Sequence, residues 1–477
     1  MHPVEIILWV PATAMVVLVF IGNYRLGAAI NVIASGVTFV AGAALLFADR
    51  VRTDIFIIDD FNIYLVILTT FIGFTTSIFS ATYIGHELET GKLTPVFLRF
   101  YHALYQAMMG AMNLALVVNN VGLLWVGVEV ATLSTVMMVG IYRTPEAVEA
   151  AWKYFILGSV GIALAFFGTI LVYLVAQPVV GEGLPAMAWD TLVKNGAGFD
   201  AKLLSLAFVF LLVGYGTKVG IAPFHAWLPD AHAEGPTPIS AVLSGLLLNV
   251  ALYALLRFKM VLAANGETLD VGLIMIWLGL ISLIFAAFML YRRRDIKRLF
   301  AYSSIEHMGI MTFAFGMGGP LANFAGLLHM TMHSLIKSAI FFAVGHIAQV
   351  KGTQRIAHIR GLSVTHPVLA VGLALGVIAI AGMPPFGMFL SEFMLVSTSF
   401  ARQPLLALAL VFGLVVAFGA LVLRMQDVLF GEPSGPTGGV KASYLPLFIH
   451  LALVLVAGLW LPEPVVRWFR AVATQLG

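Results

Sequence analysis

Four ionisable residues stand inside runs that are otherwise apolar. Glu129 lies in NNVGLLWVGVEVATLSTVMMVGIY, Lys218 in LLVGYGTKVGIAPF, Lys337 in LLHMTMHSLIKSAIFFAVGHI and Glu392 in GMPPFGMFLSEFML. A charge at mid-bilayer costs at least about 3 kcal/mol on insertion scales, so such a group usually faces a partner or water and has a role. Burial and a neighbouring opposite charge push proton affinity in opposite directions. A buried acid and a buried base can therefore be poised to change protonation when one moves relative to the other. That is the chemistry of a proton relay.

A second constellation supports the same chemistry. His329, His333 and Lys337 are spaced four apart. At about 100° per residue they fall within about 80° of each other on a helix, forming one stripe over three turns. Such a row reads as a hydrated proton path; the competing reading is polar residues filling a helix–helix interface. The His329 and His333 pair lacks an evident third ligand, and no HExxH is present, so no metal site is expected. His307, in YSSIEHMG, adds a titratable group, whereas its neighbour Glu306 should point elsewhere on the helix. His225 and His232 flank AWLPDA, with Asp230 and Glu234 close by. That loop is either a proton mouth or a solvated turn capping the next helix. No Walker motif, no nucleotide-type glycine fingerprint and no Ser/His/Asp set emerges from spacing. Haem held by histidine pairs is a minor alternative.

The elements that must position these groups follow from composition. The chain has 477 residues, is 61% hydrophobic and 10% charged, against about 25% charge in a soluble domain. It reads as an all-α integral membrane protein, because only helices and closed barrels satisfy every backbone group in lipid, and these apolar runs are continuous rather than alternating. About fourteen runs are long enough to span a bilayer at roughly 20 residues each. The first, MHPVEIILWVPATAMVVLVF, has no basic region before it and reads as an uncleaved span. With no cysteine, the chain holds neither disulfides nor iron–sulfur clusters. The net charge of +3 and the lack of a basic block give no sign of nucleic-acid binding.

Two of the spans are interrupted alike. GIAPFHAWL (220–228) and GMPPFGMFL (382–390) both read Gly, two residues, Pro-Phe, three residues, Leu. Proline inside a helix removes a donor and clashes with the preceding turn. The breaks fall in the seventh and twelfth spans, an odd number of spans apart, so the two units would insert upside down relative to each other. This predicts two inverted five-helix repeats with broken helices 7 and 12, a transporter signature in which the breaks mark the ion or substrate site. Two independent proline kinks are the competing reading. The expected organisation is three N-terminal transmembrane helices over 1–99, a first repeat over 100–260, a second over 261–430, and a C-terminal transmembrane helix over 431–477. Loop cations sort fifteen to one side and nine to the other, the RRRDIKR loop carrying much of the bias, which puts both termini outside. Lys218 and Lys337 are the two basic residues left without a loop.

KVGIAPFHAWLPDAHAEGPTPISAVLSG, RRDIKRLFAYSSIEHMG, HSLIKSAIFF and GMPPFGMFLSEF resemble the antiporter-like membrane subunits of respiratory complex I, group-4 membrane-bound hydrogenases and multisubunit sodium/proton antiporters. The resemblance covers residues 60–430, with several motifs in order. It implies that Glu129 and Lys218 are a coupled pair on the fifth and seventh spans, and that Glu392 is the terminal proton site on the broken twelfth. His329, His333 and Lys337 would join the central water path, with His307 beside them. One departure matters: many members carry a lysine on the eighth span where this chain has Asn249, in LLLNVALYALLRF. Asparagine orients water but holds no proton. With the compact length, this is most similar to the hydrogenase-4 branch.

The function implied is proton translocation in a prokaryotic inner membrane, as a subunit of a redox-driven complex of hydrogenase-4, formate hydrogenlyase or NADH:quinone oxidoreductase type. This chain would bind no cofactor; partner subunits would carry iron–sulfur clusters and a nickel–iron, flavin or quinone site. The alternative is a subunit of a sodium/proton antiporter without redox chemistry. A scaffold that has lost transport is a third reading.

Overall fold

The computed structural model describes residues 2–439 and 443–477. Lys441, counted among the loop cations, lies outside the described residues. The chain is helical throughout, with only isolated β-bridges among the described residues. Six long helices precede the broken seventh: α1 (Pro3–Phe20), α2 (Tyr24–Ala44), α3 (Asp60–Glu89), α4 (Pro95–Val117), α5 (Val121–Val139) and α6 (Pro145–Val180), with a short helix at Trp189–Asn195 after them. The seventh is split into α7a (Ala201–Val219) and α7b (Leu228–Glu234). There follow α8 (Thr237–Ala263, with a π-helical turn at Leu243–Leu247), α9 (Val271–Leu290), α10 (Ile296–Met317) and α11 (Gly319–Lys351). The twelfth is again split, into α12a (Pro367–Ile380) and α12b (Gly387–Arg402). The chain continues as α13 (Pro404–Phe430), α14 (Leu445–Leu459) and α15 (Glu463–Gln475), the last bent by 84° from α14.

Ten of these helices are long and apolar enough to cross a membrane, or eleven if the bent α14–α15 pair is one span. Fewer qualify than the roughly fourteen apolar runs suggest. α10 carries Lys297, Arg298 and Glu306, and the twelfth run is cut into pieces of 14 and 16 residues. Apolar windows of α8 and α11 are 100% and 94% buried, which makes them the centre of the bundle; those of α1 and α13, at 28% and 33%, face outward. Helices apolar all round belong to such interiors.

Both breaks have the same local construction. α7a ends on Gly220 with φ +77, and α12a is followed by Gly382 with φ +66. Three residues later each has a cis X-Pro bond, at Ala222–Pro223 and Pro384–Pro385. Glycine is the residue that enters the left-handed region without penalty, so it can stop the helix and turn the chain. The freed backbone groups find partners: Trp227 donates its indole N–H to the Thr217 carbonyl at 2.8 Å, and the Ala222 N–H donates to Ser282 Oγ at 2.9 Å.

Four cations assigned to loops by sequence are buried instead: Arg257, Lys259, Lys297 and Lys351, because each meets a polar partner. Lys259 Nζ donates to the Phe315 carbonyl at 2.7 Å, and Lys297 Nζ to that of Gly235 at 2.6 Å. Arg257 pairs with Asp59 at 2.7 Å and stacks over Trp189 at 4.1 Å. Asp59 also caps α3, so this pair joins α8 to the start of α3. Arg257→Met should destabilise the protein by about 1–3 kcal/mol, since it leaves the half-buried Asp59 carboxylate without its cation. Thermal unfolding in detergent checks this; a midpoint equal to the parent's would refute it.

Candidate functional site

The first cluster forms where α5, α6 and α7a meet. Lys218, on the last turn of α7a, is 1% exposed. Its ammonium donates to Glu129 Oε2 at 3.2 Å and to Thr132 Oγ1 at 3.0 Å, both from α5. Glu129 and Thr132 lie three apart, so they share a helix face. Gly158 of α6 leaves the room: a Cβ there would stand 3.1 Å from Lys218 Nζ. Behind the pair, Thr135 and Tyr154 hydroxyls lie 2.9 Å apart, and the Tyr154 ring stacks on Trp227 of the first break at 4.1 Å.

The second cluster runs along α11. His329, His333 and Lys337 are all buried and do share one stripe. His329 Nε2 lies 2.9 Å from His307 Nδ1 of α10, and His329 Nδ1 lies 3.1 Å from Ser391 Oγ of α12b. Each of those contacts needs one proton between its two atoms, so the three side chains form a hydrogen-bonded series. The His333 ring lies 5.6 Å from that of His307, and neither of its nitrogens has a protein partner among the described residues. Lys337 Nζ donates to the Phe300 carbonyl at 3.0 Å and lies over the Phe300 ring.

Between the clusters sits Asn249, on α8 just past the π-helical turn. Its amide donates to Ser334 Oγ at 2.6 Å and to the Gly245 carbonyl at 3.1 Å, while Oδ1 has no protein partner among the described residues. His232 is not on a solvated turn: it is fully buried in α7b, stacked on Phe341 of α11 at 4.9 Å, with both nitrogens unpartnered by described residues. His225 is half-buried against Phe285, and Asp230 pairs with Lys153 at 3.1 Å and Arg298 at 3.2 Å.

Glu392 closes the series in α12b. Its carboxylate lies directly on Gly382 of the second break, where a Cβ would come within 1.9 Å of Oε2. It also lines a cavity of about 200 Å³ together with Glu306, Ala381 and Phe418. Here two expectations need correcting. Glu306 does not point away from the site: it is 3% exposed, lines that cavity, and its Oε2 has no protein partner among the described residues. α10 is covered on all sides by other helices, so a residue one step from His307 still faces polar company. A third donor also exists: ligand atoms of His307, His329 and Glu392 lie within 4.8 Å of one another. It comes from α12b, which spacing along α11 could not reveal, and it pairs with His307 rather than His333. Thr132 and Ser391 were also missed; their only sequence signal is a hydroxyl at helical spacing from Glu129 or next to Glu392.

The comparisons agree with this architecture. Residues 118–417 match the family described as NADH:quinone oxidoreductase/Mrp antiporter, transmembrane. The hydrogenase-4 component F homolog of Methylacidiphilum infernorum is 58% identical over 460 residues, covering 96% of this chain and 97% of that protein. NADH-quinone oxidoreductase subunit M of Pseudomonas aeruginosa is 31% identical over 324 residues, 67% of this chain and 62% of that one. A chain of the archaeal membrane-bound sulfane sulfur reductase superposes with a TM-score of 0.89 at 19% identity, covering 100% of this chain and 98% of its own. The chain belongs to the NADH:quinone oxidoreductase/Mrp antiporter membrane-subunit family.

Proposed function

We propose that this chain is the proton-translocating membrane subunit of a redox-driven complex of hydrogenase-4 or NADH:quinone oxidoreductase type, with electron transfer on partner subunits. The observation that carries this is the run of polar and ionisable side chains from Glu129–Lys218 to Glu392, buried between a half-buried glutamate at each end. Along it stand His232, Asn249, Lys337, His333, His307 and His329, several with atoms no described residue satisfies. Unpartnered buried polar atoms are costly, and water is the partner that also conducts protons. Similarity to hydrogenase-4 component F and to complex I subunit M supports the redox assignment.

In this reading, movement of Glu129 relative to Lys218 changes the lysine's hold on its proton. The proton then passes by Lys337, His333 and His307–His329 to Ser391 and Glu392. A hydrogen bond between His307 and His329 suits proton transfer better than metal binding, because it commits those two nitrogens to each other. Asn249 orients water and leaves proton storage to Lys337. His225, Asp230 and His232 form the entry near the first break.

The helices failing the simple length-and-apolarity test are read as crossing too, giving about fourteen spans. The residue ranges 100–260 and 261–430 are read as inverted repeats, supported by the positive-φ glycine that stops the helix three residues before a proline at both breaks. The chain would lie in a prokaryotic inner membrane with both termini outside. Iron–sulfur clusters and a nickel–iron, flavin or quinone site belong to the partners. The deciding experiment is proton movement by the complex in sealed vesicles, with and without sodium. Proton translocation should need electron transfer and not sodium. Sodium-dependent proton flux without redox turnover would assign the chain to a sodium/proton antiporter instead.

A further inference from the structure

A second feature lies apart from the proton route. The α9–α10 connection, the segment 355–358 and the last turns of α13 enclose a cavity of about 980 Å³ lined by six arginines and three carboxylates. Arg298 is already paired with Asp230 and Glu234, and Arg293 is turned over the Tyr302 ring. Arg292, Arg294, Arg355 and Arg424 form no ion pair among the described residues. Of the carboxylates, Glu234 is used by Arg298, Asp295 caps α10 by accepting the Arg298 N–H, and Asp427 remains. The cavity thus has four uncommitted guanidinium groups against one uncommitted carboxylate.

Guanidinium forks match phosphate oxygens in pairs. What stands beside them says which phosphate. α9 exposes Trp277, Ile281 and Phe288, and α13 exposes Phe412, Val422 and Leu423. Phe288 and Phe412 rings are 6.1 Å apart, so the two outer faces form one apolar surface ending at the arginines. An acidic protein segment would have no use for that surface, whereas acyl chains would. Basic pockets at the ends of membrane helices hold lipid headgroups for this reason.

We propose that this cavity binds the phosphate headgroup of an anionic phospholipid whose chains lie along α9 and α13. The test uses the assembled complex in phosphatidylcholine vesicles doped with photoactivatable phosphatidylglycerol or phosphatidylcholine, with crosslinked peptides mapped by mass spectrometry. The anionic probe should label α9 and α13 about fivefold more than the neutral one. R292Q/R294Q/R424Q should bring the ratio near one, and R25Q, on another helix, should not change it. If the triple variant does not assemble, R424Q alone must still lower the ratio. Equal labelling by both probes overturns the proposal, as does a ratio unchanged in the variants. Competition by free glycerol phosphate at constant ionic strength would assign the cavity to a soluble phosphate. Crosslinks from the arginines to a partner subunit would assign it to protein. Either result would also overturn the lipid.

Discussion

Lys218→Ala should abolish proton translocation in the assembled complex while electron transfer continues. The ammonium is buried, with Glu129 and Thr132 as its polar contacts. No other basic side chain is ion-paired to Glu129 among the described residues, so alanine removes the group proposed to take up and release the proton. The loss should be about a hundredfold or more, the scale of a positioned proton-transfer group. Lys218→Ala also strands the Glu129 carboxylate, so the double variant Lys218→Ala/Glu129→Gln is the control for folding. It should assemble at least as well as the single variant and translocate no better. The measurement is protons moved per electron in vesicles. An unchanged ratio in Lys218→Ala would falsify the mechanism. Normal translocation in Glu129→Gln would favour a scaffold instead.

The second large effect belongs to Glu392. Glu392→Gln keeps size and shape, and an amide cannot take up and release a proton as a carboxyl does. Translocation should again fall about a hundredfold, with complex assembly intact. Gly382→Ala tests the same group through its seat. A Cβ there would stand 1.9 Å from the carboxylate oxygen, on a residue with φ +66. The side chain must move off the break and out of its place in the cavity it shares with Glu306. Translocation should drop in Gly382→Ala as well, with complex assembly intact. Parent-level translocation in Glu392→Gln would exclude this carboxyl as the terminal site and leave Glu306 to be tested.

The sequence by itself determined the class of the protein and picked out the ionisable residues within its apolar runs. Continuous apolar runs can only be helices in lipid, and a lysine or glutamate within them must be met by a partner or water. Glu129, Lys218, Lys337 and Glu392 were legible for that reason. His329, His333 and Lys337 were legible because fixed spacing on one helix fixes a stripe. The two breaks were legible because glycine and proline restrict the backbone locally.

Tertiary structure decided what depends on neighbouring helices. It placed Glu129 against Lys218, residues 89 apart in the chain, and joined His329 to both His307 and Ser391. It turned Glu306 from a residue expected to point elsewhere than His307 into a wall of the Glu392 cavity, because a helix enclosed on every side has no face turned away from its neighbours. It carried Arg257, Lys259 and Lys297 inside, where distant partners offset a cost that local apolarity alone would forbid. A helical period says which side chains share a face; only packing says what that face meets.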